Sequence, residues 1–302
     1  MEIFEGDDLA NNRRIIRPKA KVIDGVTYQP QADHGFEFNP GQIYNMPIPP
    51  AKPPEPVDPV IPPPVVQAEP APAVIAPAPT PINIPLQPAR NSQLKHPKNL
   101  VKYGARSKNA SAVSDAMEAI NNIHSVPDSM EQLDIQSTSS PTKLGAYVYS
   151  GRTNKPFKFR LSTKGDNPRM TMVHEMGHYL DHHGIGTKGA FDSESGDRTS
   201  RVIQAIKQSK SYSKLAERRA VFAAQNNTNL VKHVDYLMGN DELFARSYAQ
   251  FIASKSTGRK IKGELKNLQE DNFLGTQWDD EDFQSINVEM GKLFSDLGWS
   301  NQ

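Results

Sequence analysis

His174-Glu175-Met176-Gly177-His178, running on as Tyr179-Leu180-Asp181-His182-His183-Gly184, is the stretch from which the rest of the chain can be read. Histidines four residues apart lie about 40° from each other around a helix, so both imidazoles face one side and can share a metal ion. The carboxylate between them projects about 100° from His174, where it can hold a water against that ion. Such a triplet implies Zn2+ and hydrolytic chemistry if the segment is helical, and the flanks support a helix. Asp166 or Asn167 can serve as N-cap, and Pro168 suits the first helical position, where its missing N–H needs no partner. Met172, Val173, Met176, Gly177 and Leu180 recur at spacings of one, three and four, the pattern of a helix buried on more than one side. Gly184 is a natural stop. A buried structural histidine pair is the alternative reading of the same residues.

Upstream, Gly145-Ala-Tyr-Val-Tyr149 and Phe157-Lys-Phe-Arg-Leu161 alternate as strands do, and the second is a candidate edge strand lining a substrate cleft. A strand followed by a capped helix bearing the motif is the element order of a zincin. Further along, helices are expected from Leu100 to Ile123, near 197–209 and 212–225, at Asn240–Ile252, and from Glu281 to Leu297. The last places Phe283, Ile286, Met290, Leu293, Phe294 and Leu297 on one stripe, which reads as core. The basic run Lys255–Lys266 reads as a solvated turn region. The expected fold is α+β and zincin-like, mostly helical with a small sheet.

Two histidines leave zinc short, because catalytic sites present three protein ligands and a water. Gly184, ten residues after His174, has no donor to offer. His182 lies on the same helix but about 12 Å along its axis from His174, too far to share the ion. The favoured third ligand is Glu242, in the first turn of the Asn240 helix. A glutamate that merely complements the helix dipole is the other reading of that position. Asp181 either orients a histidine, closes the helix end, or is simply solvated. His182 and His183 read as surface or cleft-rim residues. His233 is either a transition-state donor or a surface helix position, and Tyr248 reads as core.

The pair H-E-M-G-H-Y-L-D (174–181) and D-E-L-F-A-R-S-Y (241–248) resembles the gluzincin pattern of the anthrax lethal factor catalytic domain and of related toxin-like and phage-encoded metallopeptidases. In that group the motif helix ends H-x-x-D and the later helix reads E-x-F-A, with its glutamate on zinc. The resemblance implies a zinc metalloendopeptidase with His174, His178 and Glu242 on the metal and Glu175 as general base. It also implies a catalytic tyrosine shortly before the third ligand. Tyr236 is the nearest match, one residue closer to the glutamate than in the toxin.

The remainder of the 302 residues divides by composition. Most of the 25 prolines lie between Pro47 and Pro97, and residues 47–91 read as a disordered, extended polyproline-type tether. About 45 residues at roughly 3.1 Å each would reach on the order of 140 Å. Residues 92–302 then form the catalytic domain, ample for one buried core. Residues 1–46 are a separate peptide. Within it, R-P-K-A-K-V-I-D-G-V-T-Y-Q-P and G-F-E-F-N-P-G resemble the tail of Mu-type phage minor head (head morphogenesis) proteins. That likeness implies docking on a phage capsid or portal protein and places the chain in a virion or the host cytoplasm. A structural head protein that retains the zincin fold without turnover, and a secreted toxin-like protease effector, are the competing functions. A net charge of +1 offers no electrostatic case for nucleic acid. The lack of cysteine excludes disulfides and thiolate zinc sites. Neither a signal-peptide core nor a membrane-spanning apolar run is evident.

Overall fold

The computed structural model describes residues 21–23, 26–28, 93–186, 189–270, 272 and 276–301. In the N-terminal part, β1 (Lys21–Ile23) and β2 (Val26–Tyr28) pair antiparallel. The expected docking peptide, apart from this pair, and the expected tether fall outside the described residues.

From residue 93 onward the chain is α+β. A short antiparallel pair joins β3 (Leu94–Lys95) to β5 (Val126–Pro127). The main sheet has four strands: β4 (Val101–Lys102), β6 (Leu133–Thr138), β7 (Gly145–Tyr149) and β8 (Pro156–Ser162). Their order is β4-β6-β8-β7, with β4, β6 and β8 parallel and β7 antiparallel to β8. The expected strand pair is therefore present, but its first member, not its second, is the edge. Parallel pairing of β8 with β6, a strand missing from the sequence reading, places β8 inside the sheet. Asn154, with φ of 52°, makes the tight return between β7 and β8, a left-handed conformation that asparagine tolerates better than most residues.

Nine helices cover one another and the sheet: α1 (Ala110–Asn121), α2 (Pro168–Tyr179), α3 (Asp192–Ser195), α4 (Ser200–Lys207), α5 (Lys210–Ala224), α6 (Thr228–Leu237), α7 (Asn240–Lys255), α8 (Arg259–Glu270) and α9 (Gln284–Asp296) among the described residues. The helix expected from Leu100 starts only at Ala110. Val101 and Lys102 pair with Leu133 and Asp134 instead, and the Asn109 side chain donates to the Leu161 and Ser162 carbonyls at the end of β8. The basic run after Lys255 is also different from expectation. It forms α8, whose Ile261, Glu264 and Leu265 are buried while its lysines stay outside.

α2 is the centre of the molecule. Met170, Met172, Val173, Met176 and Tyr179 are all buried around it, as a helix with apolar residues on several faces requires. α1, α7, α8 and the β7–β8 hairpin enclose it. Its N-terminus lies at Asn167, yet neither the Asn167 nor the Asp166 side chain caps it. Glu264 of α8 does so from across the core: one carboxylate oxygen accepts the N–H groups of Arg169 and Met170 at 2.8 and 2.9 Å. The other pairs with the Arg169 guanidinium, so the cap is charged and tertiary. At its far end α2 widens into a π-helical turn, Leu180–Ile185. Gly184 lies inside that turn and does not end the helix. A Cβ there would come within 3.1 Å of Trp299 and 3.2 Å of the Met130 sulfur.

α9 buries Ile286, Met290, Leu293 and Phe294, as its stripe implies. α5 and α6 form a hairpin with a small core of its own, Leu215, Phe222, Val234 and Leu237. Among the described residues no helix is long and apolar enough to cross a membrane.

Candidate metal centre

Four-residue spacing on α2 turns the His174 and His178 rings to one side, with centroids 4.7 Å apart and planes nearly perpendicular. Their Nε2 atoms are 3.1 Å apart. Glu242, 4% exposed in the first turn of α7, brings Oε2 to 3.5 Å from each of those nitrogens. Donors at the 2.0–2.1 Å bond lengths of zinc, placed tetrahedrally, stand about 3.3 Å from one another. The three atoms thus stand close to the corners of one face of such a tetrahedron. Nitrogen and carboxylate oxygen are donors that zinc accepts. Among the described residues this is the one cluster of three or more His, Cys, Asp or Glu arranged to hold an ion.

Helix approach makes this geometry reachable. Gly177 lies where α2 crosses α7, and a Cβ there would stand 3.0 Å from both the Ala245 Cα and the Tyr248 ring. With glycine the backbones close up, and Glu242, one turn before Ala245, reaches the histidines. Gly145 has a comparable role at the edge strand. A Cβ on it would fall 2.4 Å from the Glu175 Oε1, so a side chain at this position would have to displace the buried Glu175 carboxyl.

Charge follows geometry. Burial opposes ionisation of Glu242, but the charges and hydrogen bonds of His174 and His178, with Arg246, hold its carboxyl well below the usual range. Burial likewise opposes a proton on His178. The Glu242 hydrogen bond and the charges of Glu242, Glu175 and Asp241 outweigh it and raise His178 to about 9. A buried carboxylate kept ionised beside convergent imidazoles is a ready cation site.

No protein-family model, curated protein or solved structure matches this chain significantly.

Tyr236, the penultimate residue of α6, donates its hydroxyl to Glu242 Oε2 at 2.8 Å and is 41% exposed. The structure therefore brings all five anticipated site residues together. His233 stands one turn earlier on α6, half-buried, its ring stacked on Tyr236 with centroids 6.5 Å apart. Burial lowers it to about 4 against the pull of Glu242, so it is neutral at pH 7. Tyr248 is core as read, its hydroxyl bonded to His124 at 2.8 Å.

Two of three neighbouring residues differ from the sequence reading. His182 is not on the rim: it is 1% exposed, its Nδ1 lies 2.9 Å from the Tyr147 hydroxyl, and its ring packs on Tyr149 and Phe191. His183 is half-buried and bonds the Asn154 carbonyl at 2.8 Å. Asp181 is neither solvated nor a hydrogen-bond partner of a ligand histidine among the described contacts. Its carboxyl accepts from the Ser193 N–H and hydroxyl, and burial raises it to about 7. The aromatic bend of the π turn has no periodic signature in sequence. Arg246 was also missed, although an arginine four residues after Glu242 on the same helix was a visible signal.

Proposed function

We propose that this chain is a zinc-dependent endopeptidase of the gluzincin type, with a zincin-like catalytic domain at residues 92–302. The observation that carries the reading is the Glu242 oxygen equidistant from two imidazole nitrogens at the edge length of a zinc tetrahedron. His174, His178 and Glu242 would hold the ion. Zn2+, when bound, supplies a Lewis acid that polarises the scissile carbonyl and acidifies a water. Glu175 takes the proton from that water as it attacks and passes it to the leaving amine. Its buried position places the carboxyl between the motif helix that carries it and Gly145 of the edge strand. Tyr236 would exchange its bond to Glu242 for one to the developing oxyanion. A protein or peptide is the substrate. Association with a virion, through residues 1–46 and a capsid or portal partner, rests on their sequence likeness to minor head proteins.

Metal analysis of the purified chain and cleavage of a casein-type substrate, with and without chelator, test the assignment. Glu175→Gln should keep one zinc per chain and lose about 10²- to 10⁴-fold in turnover, the usual contribution of a general base. A wild-type chain without stoichiometric zinc, or a Glu175→Gln variant as active as wild type, overturns it.

A further inference from the structure

Arg246 lies one helical turn beyond Glu242 and is 5% exposed. Its Nη1 donates to the Thr276 carbonyl at 2.6 Å and its Nη2 to the Leu237 carbonyl. Its Nε stands 3.3 Å from Glu242 Oε1, an ion-pair contact without the alignment of a hydrogen bond. The guanidinium also faces the Trp278 ring at 5.7 Å. Taking a guanidinium out of water is costly, and an apolar side chain of similar volume would often serve stability as well or better. Stability alone is therefore a poor reason for this residue.

Its placement offers a better one. The two oxygens of Glu242 have separate partners: Oε1 faces Arg246, while Oε2 faces His174, His178 and the Tyr236 hydroxyl. A carboxylate left to itself can grip a cation with one oxygen or with both. Gripping with both would fill the position that a catalytic site keeps for water and substrate. The same guanidinium holds the carbonyl of Leu237, the residue after Tyr236, so the catalytic hydroxyl and the ligand oxygen share one anchor.

We propose that Arg246 is a positioning residue that occupies Oε1, limits Glu242 to one oxygen on the metal, and registers the α6–α7 turn against the site. The inference rests on the zinc reading above and concerns how the third ligand is presented. Arginine suits the task because its rigid fork serves the carboxylate and two carbonyls at once, which lysine cannot.

The test is the visible spectrum of the full chain loaded with Co2+ in place of zinc, because band intensity reports coordination geometry. Wild type should show the intense band of a four-coordinate ion. Arg246→Met and Arg246→Gln should bind one Co2+ per chain with a band at least twofold weaker as Oε1 joins, and Arg246→Lys, which keeps the charge beside Oε1 but not both carbonyl bonds, should restore only part of it. Neutral variants with the wild-type band overturn the proposal. So does a weak, five-coordinate band in wild type, a measurement that needs no variant to fold. A wild-type chain that takes up no stoichiometric Co2+ or Zn2+ instead sinks the metal centre itself.

Discussion

Four residues separate His178 from His182 on one continuous helical run, yet their environments are opposite in kind. His178, the penultimate residue of α2, turns its ring nitrogen to the Glu242 carboxylate, which raises it to about 9. His182 lies in the π turn among Tyr147, Tyr149 and Phe191, where burial and the nearby His183 and His178 charges lower it to about 4. His124, fully buried against Phe294, shares the second condition. Its Nδ1–H donates to the Ser125 carbonyl and its Nε2 accepts from Tyr248, which describes a neutral imidazole. The lesson is that an imidazole's role follows from what its nitrogens meet. A carboxylate favours positive charge on it, whereas a hydroxyl and aromatic rings make it a neutral polar piece of core. Position along the axis separates the two sets: His182 lies one further turn from His174 and His178, in a segment that packs on Tyr147, Tyr149 and Phe191.

The largest effect that would break this contrast is loss of a proposed metal donor. Zinc sites are worth roughly 10–16 kcal/mol across their ligands, so His178→Ala should lose about 4 kcal/mol, near a thousandfold in zinc affinity. Competition with a chromophoric chelator measures it, and wild-type affinity in that variant would put His178 in the structural class.

Next in size is acid sensitivity from the core set. His124 is lowered from 6.5 to about 4 by burial, partly offset by its bond to Ser125. Its stabilising contribution is therefore complete above pH 6.5 and disappears as the pH falls through 4. The drop corresponds to roughly 3 kcal/mol. Urea unfolding between pH 7.5 and 4 should show wild type losing that much more than His124→Gln, and parallel curves would refute the assignment.

The smallest effect sharpens the comparison at His182. Tyr147→Phe removes the hydroxyl 2.9 Å from its Nδ1 and should cost about 1–2 kcal/mol of stability, the penalty of one buried unpaired group. Zinc content should stay at wild type. A variant that loses metal but not stability would show that the aromatic cluster serves the site.

Much of this organisation was legible beforehand. The motif helix, its Pro168 start, the strand hairpin before it and the core stripe of α9 all follow from short-range periodicity and spacing, whereas the choice of Glu242 leaned on its place in a later helix and on a family resemblance. What was missed is long-range or irregular. β6 is a strand with little apolar alternation that exists because β4 and β8 flank it. α8 looks like a charged turn until Ile261, Glu264 and Leu265 are seen facing the core.

By itself the sequence determined that two imidazoles share a helix face with a carboxylate between them, because a four-residue spacing sets that angle in any α-helix. Only the tertiary structure decided that the Glu242 oxygen meets both nitrogens. That depends on glycine at 177 letting two helices close, on Arg246 engaging the other oxygen, and on Gly145 leaving room for Glu175. Local periodicity fixes direction around one axis. The distance between axes is set by packing across more than sixty residues of chain, and no short stretch of sequence encodes it.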